Sequence, residues 1–256
     1  MNSLVSLVRS AGVLGASLTI LDRTFRAASP LIIQVRHRLA GAEALEVGGP
    51  SQKFMPGGLL PVYDVLSSID NVTFATETIW EGVLGETYEP IEDVRGRQLI
   101  ADGTNVGDIG PYDAILSCHV IEHIANPMQA LAEWHRILRA AGLLVLVAPH
   151  GGYTFDRRRP VTSFEHLIHD YERGTQEDDR THVEEVLAWH DISRDPGLGG
   201  RAELRERIEN NAKLRSMHHH VFDERLLKNV LEYSGFRIEH LTFKRPFDIV
   251  AVGTRV

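Results

Sequence analysis

The residues best able to do chemistry are unevenly placed. Of the chain's 13 histidines, eight lie between residues 150 and 220: His150, His166, His169, His182, His190, His218, His219 and His220. The same stretch carries dense acids, "EDDRTHVEE" at 177–185 and "HDISRD" at 190–195. Such a run is ordinarily a solvated face, but a solvated helix has no particular use for histidine. Imidazole titrates near neutrality, so it can move a proton to or from a hydroxyl, and with carboxylates it can hold a divalent cation. His182 and Glu185 are three apart on one helical face, and His218 and His220 would share one side of a strand, which makes these four the candidate metal ligands. With carboxylates plentiful and one cysteine in the chain, Mg²⁺ or Mn²⁺ is favoured over Zn²⁺. A His-rich cleft without metal is the competing reading. Asp156, Arg157, His169, Asp170 and His219 are candidate acceptor contacts, and the arginine triplet Arg157–Arg159 is either solvated or an anion-binding group at a cleft mouth.

Those residues need a scaffold, and the rest of the chain reads as one. Short apolar runs alternate with helical stretches, the pattern of a parallel sheet with covering helices. Ala44–Val47 runs into Gly48-Gly49-Pro50, Gln98–Ala101 ends at Asp102-Gly103, and Tyr112–Ser117 is a third strand. A helix follows, with Asn126 as cap, Pro127 at its first position, Leu131, Trp134 and Leu138 as its buried stripe and Gly142 as its end. Leu143–Ala148 reads as a fully buried strand ending at Pro149-His150. After residue 222 come a helix from Asp223 to Gly235 and two strands, 237–243 and 248–254, forming a hairpin. The 256 residues are expected to form one domain: an N-terminal helical segment (1–40), a core (41–150 and 223–256) and a His/Asp-rich lid (151–222).

Composition narrows the partners. Twenty-seven basic against 35 acidic residues give a net charge of −8, which argues against a nucleic-acid surface. The single Cys118 cannot form an internal disulfide and fits a reducing, cytoplasmic setting. No apolar run is long enough to span a bilayer. Leu4, Leu7, Val8, Ala11, Leu14, Leu18, Leu21 and Phe25 form one face of an N-terminal helix, which would pack on the domain, on a second subunit in a homodimer, or on a membrane surface.

Ligands of open α/β sheets sit outside the carboxyl ends of the strands, where Glu46-Val47-Gly48-Gly49, Asp102 and the Ser117–Pro127 loop stand. Residues 112–150, "YDAILSCHVIEHIANPMQALAEWHRILRAAGLLVLVAPH", resemble the fourth-strand to fifth-strand segment of class I S-adenosylmethionine-dependent methyltransferases. The resemblance extends over roughly residues 40–150 and 223–256. It implies a Rossmann-like α/β fold with a seven-stranded, mostly parallel sheet, a C-terminal antiparallel hairpin, an N-terminal helix and a helical lid insertion. Glu46, Gly48 and Gly49 would contact the methionyl part of the cofactor and Asp102, with Gly103, its adenine amine. Ser117, Cys118 and His119 would line it, and either Asp70 or Glu81 would bind its ribose. The glycine loop departs from the family pattern, with Pro50 and Gln52 at its second and third glycine positions, so a catalytically inactive binding protein of this fold is an alternative. O-methylation needs a base, for which His150 is first candidate and His119 second. The 151–222 region resembles, more weakly, bacterial methyltransferases of glycan synthesis, including mycobacterial enzymes acting on mannose-containing oligosaccharides. A small polar acceptor, a saccharide first, is therefore expected, with another metabolite or a macromolecule as alternatives.

Overall fold

The computed structural model describes residues 29–256, so the expected helix over residues 4–25 lies outside the described residues. Among the described residues no helix is long and apolar enough to cross a membrane.

The strands are β1 (Glu43–Val47), β2 (Ser68–Thr73), β3 (Glu77–Thr78), β4 (Gly82–Val83), β5 (Thr87–Ile91), β6 (Val94–Ile100), β7 (Tyr112–Cys118), β8 (Leu138–Pro149), β9 (Phe236–Lys244) and β10 (Asp248–Arg255). Eight of them form one sheet in the order β5-β6-β2-β1-β7-β8-β10-β9, and β3 and β4 form a separate hairpin. Neighbours from β6 to β8 run parallel, whereas β10 runs antiparallel to both β8 and β9. The expected count of seven is corrected to eight, because β5 folds back on β6 and extends the edge.

The helices are α1 (Pro30–Leu39), α2 (Pro127–Ile137), α3 (Phe164–Arg173), α4 (Val183–Trp189), α5 (Arg201–Glu209), α6 (Asn211–Leu214) and α7 (Glu224–Tyr233). Successive strand residues point to opposite faces, and both faces of this sheet are covered. Ile115, Leu144, Leu146 and Ala148 pack with Leu131 and Trp134 of α2 and with Leu167 and Leu227. Ala114, Leu116, Val145 and Val147 pack on Val35 and Leu39 of α1 and on Phe54, Leu60 and Tyr63. That second layer is largely irregular backbone, and between residues 48 and 111 no α-helix intervenes, so the strict alternation read from the sequence holds only in the C-terminal half.

Local signals place α2 as expected at its start, where Asn126 Oδ1 accepts from the Gln129 amide at 3.0 Å. Its end differs. The helix stops at Ile137, because Leu138 pairs with Tyr112 at the start of the β7–β8 ladder and Gly142 belongs to β8. A side chain at Gly142 would meet the Arg139 carbonyl at 2.8 Å, so this glycine serves a tight strand path instead of a helix cap. The lid's helices α4 and α5 enclose a small apolar cluster of their own, Val183, Val186, Leu198, Leu204, Ile208 and Met217.

Candidate active site

A cavity of about 630 Å³ opens outside the carboxyl ends of the parallel strands, bounded by Val47-Gly48, Thr73-Phe74, Ala101, Cys118-His119 and Pro149, with lid residues opposite. It straddles the point where the strand order reverses between β1 and β7, the position open α/β sheets use for ligands.

Of the residues expected to bind a cofactor, Gly48, Glu81, Gly103, Cys118 and His119 line this cavity. Gly48 has φ +75° and Val120 2.6 Å from where a Cβ would stand, so both conformation and space demand glycine. Glu46, Gly49, Asp70, Asp102 and Ser117 are not in the lining, and each is engaged or enclosed elsewhere. Glu46 is 0 % exposed beneath the loop. Its carboxylate accepts from Tyr63 Oη at 2.7 Å, from Tyr88 Oη at 2.5 Å and from the Ser51 amide at 3.2 Å. Burial pushes Glu46 up to about 7 despite these donors. The Gly49 amide donates to Asn71 Oδ1 at 2.9 Å, so much of the loop's donor capacity is used internally. Asp70 accepts from Arg97 Nη2 at 2.6 Å and from Tyr112 Oη at 2.7 Å. Asp102 accepts from Thr104 Oγ1 at 2.7 Å and from Arg215 Nη2 at 2.5 Å. Ser117 is fully buried.

The two expected bases part company. His150 accepts from the Gly152 amide at Nδ1, lies 3.1 Å from Glu224 at Nε2, and packs edge-on to Tyr153 and Phe243, outside the cavity lining. His119 faces the cavity from a left-handed backbone (φ 53°), and its Nε2 lies 2.8 Å from Asp248 Oδ1. Asp248 Oδ2 accepts from Lys53 Nζ at 2.7 Å. Burial would raise the Asp248 pKa, but Lys53 and His119 bring it below the usual carboxylate range. Asp248 opens β10 beside Pro149 of β8, so the C-terminal hairpin carries this carboxylate to the site. Burial pushes the neighbouring Cys118 thiol up to about 12, which leaves it a poor nucleophile.

Across the cavity, Glu122 is 1 % exposed and neither carboxylate oxygen has a hydrogen-bond partner. His123 Nε2 and His218 Nε2 stand 3.9 and 3.8 Å from it. His218 Nδ1 pairs with Asp156 at 2.6 Å, and Arg159 Nη1 with the same carboxylate at 2.8 Å. Against the effect of burial, His218 and Arg159 hold Asp156 down at about 2, while Asp156 draws the His218 pKa up. Of the expected acceptor contacts, Asp156 lines the cavity; Arg157 pairs with Asp191 at 2.6 Å, His169 is exposed on α3, and Asp170 and His219 are buried outside the lining. The arginine triplet divides: Arg157 and Arg158 are exposed and face Asp191 at 2.6 and 3.6 Å, while Arg159 has a fully buried side chain paired with Asp156.

The four expected metal ligands do not assemble. His218 joins Glu122 and His123 at the cavity, whereas His182 and His220 belong to a separate group with His166 and Asp170. Residues 218–222 do not form a regular strand, so the shared face expected of His218 and His220 is lost. Lys53, Asp248, Glu122, Trp80 and Arg215 line or adjoin the site without having been singled out; Glu122 was the most findable, as a carboxylate in the strand-end "HVIEHI" loop.

Residues 92–146 match the family model of a methyltransferase domain. A solved S-adenosylmethionine-dependent methyltransferase from Mesorhizobium loti is similar over 91 % of this chain and 100 % of its own, at 15 % identity and TM-score 0.50. The fold is that of the class I S-adenosylmethionine-dependent methyltransferases. Looser structural similarity, at TM-scores of 0.47 and 0.48, is found to two further methyltransferases. The N-methyltransferase NodS from Bradyrhizobium japonicum WM9 has 8 % identity, with 90 % of this chain and 95 % of that chain covered. The methyltransferase CalH, in complex with SAH, has 14 % identity, with 99 % and 62 % covered. No curated protein matches the sequence. In this methyltransferase fold the added strand β5 supplies no cavity residue, while the β3–β4 hairpin contributes Trp80 and Glu81 to the rim.

Proposed function

We propose that the protein is an S-adenosylmethionine-dependent O-methyltransferase acting on a hydroxyl of a small polar acceptor, a saccharide first. The observation that carries this reading is the His119–Asp248 pair at the mouth of β7 and β8, facing a cavity of the size that encloses small ligands. The residues fit the cofactor in kind: Val47, Val72 and Ile124 offer an apolar bed for a flat ring, and Glu81 is a cavity carboxylate of the sort that binds ribose hydroxyls. When bound, that cofactor supplies a methyl group on a positively charged sulfur.

The chain's own residues supply the proton chemistry. The Asp248 carboxylate accepts from His119 Nε2–H, which sets the tautomer and leaves Nδ1 with its lone pair. Nδ1 would take the proton of an acceptor hydroxyl placed beside it, which would leave that oxygen able to accept the methyl group the bound cofactor would supply. Glu122 and Asp156 offer buried acceptors to a polyhydroxylated ligand, and Trp80, 55 % exposed on the cavity rim, offers a ring to stack on it.

The internal use of the Gly49 and Ser51 amides favours a second reading, a binding protein of this fold without catalysis. Calorimetry separates the two, since absence of S-adenosylhomocysteine binding at millimolar concentration removes the enzyme. Given binding, labelled methyl transfer to a panel of saccharides tests the acceptor class, and success with a protein or RNA alone would reverse it. His119→Asn keeps a residue that tolerates the left-handed backbone and should lower turnover about 10²–10⁴-fold, with a far smaller change in S-adenosylhomocysteine affinity. Unchanged turnover would exclude His119 as base.

A further inference from the structure

Four side chains from three separate segments converge beneath the lid, away from the cavity. His166 and Asp170 stand one turn apart on α3, His182 precedes α4, and His220 lies in the extended stretch that leads to α7. His166 Nε2 is 3.0 Å from His182 Nε2 and 3.1 Å from Asp170 Oδ2, and His220 Nε2 is 4.0 Å from the same oxygen. The four ligand atoms lie within 4.8 Å of one another. Donors bound at about 2.0–2.1 Å around a tetrahedral ion stand roughly 3.3 Å apart, so the set is already near the required spacing. Two imidazole nitrogens 3.0 Å apart can share only one proton, whereas an ion between them uses both lone pairs.

We propose that His166, Asp170, His182 and His220 form a structural zinc site that fastens three segments of the lid to one another: α3, the start of α4 and the stretch leading to α7. Three imidazoles with one carboxylate suit Zn²⁺ and not Mg²⁺, which takes oxygen ligands almost exclusively. Four protein donors fill a tetrahedron, and none of them lines the cavity, so no position is left for a reacting water. Outer partners are in place. Asp170 Oδ1 accepts from Thr175 Oγ1 at 3.1 Å, which leaves Oδ2 toward the histidines. Glu185 Oε2 stands 3.9 Å from His182 Nδ1, and Arg159 holds the other Glu185 oxygen at 2.6 Å. Glu185 is therefore an orienting carboxylate of the site and not a ligand. His220 changes most on loading: its Nε2 now lies 3.0 Å from the Ala125 carbonyl, and coordination shifts its proton to Nδ1, which has no partner.

The test is metal binding by the full chain after stripping with a chelator. One equivalent of Zn²⁺ should be retained through gel filtration, and Co²⁺ in its place should give the intense visible absorption of four-coordinate cobalt. His166→Ala, on the partly exposed face of α3, and Asp170→Ala should each weaken Zn²⁺ binding by about 100-fold or more. Far-UV circular dichroism identifies any variant that fails to fold, and the cobalt spectrum of the unsubstituted protein reads the site without any variant. No stoichiometric uptake, a six-coordinate cobalt spectrum, or uptake lost in Glu122→Gln but kept in His166→Ala would each overturn the assignment, the last by moving the ion to the cavity cluster. Since none of the four ligands faces the cavity, zinc uptake is read independently of methyl transfer.

Discussion

The sheet and the lid are held together by different physics. The sheet buries apolar side chains on both faces, from Ile115 and Leu146 to Trp134, in two clusters that run its full width. The lid has six buried apolar residues in its own cluster and reaches the sheet's core through Leu167 and Phe222, and it is further joined by ion pairs and imidazoles. Arg159 alone binds Asp156, Glu185 and the carbonyls of His218 and His219. Apolar burial is additive and indifferent to pH; a buried charge network is stable only while every partner is present. The region proposed to recognise the acceptor is thus the one whose integrity depends most on single residues.

The largest expected effect on stability follows from that contrast. Arg159→Met removes a fully buried guanidinium and leaves Asp156 with His218 alone as its charged partner, and should destabilise the lid by about 3–5 kcal/mol. Limited proteolysis should then cut within residues 174–200 while the sheet remains folded. Simultaneous loss of sheet and lid would show that they are one cooperative unit and dissolve the distinction.

Leu146→Ala should cost about 2–5 kcal/mol through the cavity left in β8, as read from urea midpoints, with no selective opening of the lid. The loss should be the same at pH 6 and pH 8, because no titrating group is disturbed.

The sheet is not indifferent to pH where it carries carboxylates, and Glu46 of β1 gives the smallest effect. Glu46 is held at about 7 when folded, against an ordinary value of 4.5. The folded state therefore binds this proton more tightly than the unfolded chain, and stability falls as pH rises from about 4.5 to about 7. A shift of this size corresponds to about 3 kcal/mol as an upper figure. In urea titrations at pH 5 and pH 8, Glu46→Gln should gain on the unsubstituted protein as pH rises; a gap that stays constant would place the carboxyl's titration elsewhere.

Strand-end chemistry was legible where the signal was local. The run Leu143–Ala148 and the cap Asn126-Pro127 place β8 and α2 because buried strands and helix starts are encoded by adjacent residues. The C-terminal hairpin was legible for the same reason, but Asp248 at its start was not. It matters through Lys53 and His119, 195 and 129 residues away, and no pattern along the chain marks such a meeting. Glu46 shows the converse, since its place after an apolar run pointed to a ligand until Tyr63 and Tyr88 folded onto it.

The enrichment of histidine and acid in residues 150–220 is a property of the sequence alone, as is the sheet scaffold with its glycine turn at Gly48. How those histidines are divided was decided only by tertiary structure. His218 turns to Asp156 and the cavity, while His220, two residues on, turns to Asp170 and the closed cluster. In irregular backbone no fixed period links spacing to direction, so each imidazole goes where packing supplies it a partner.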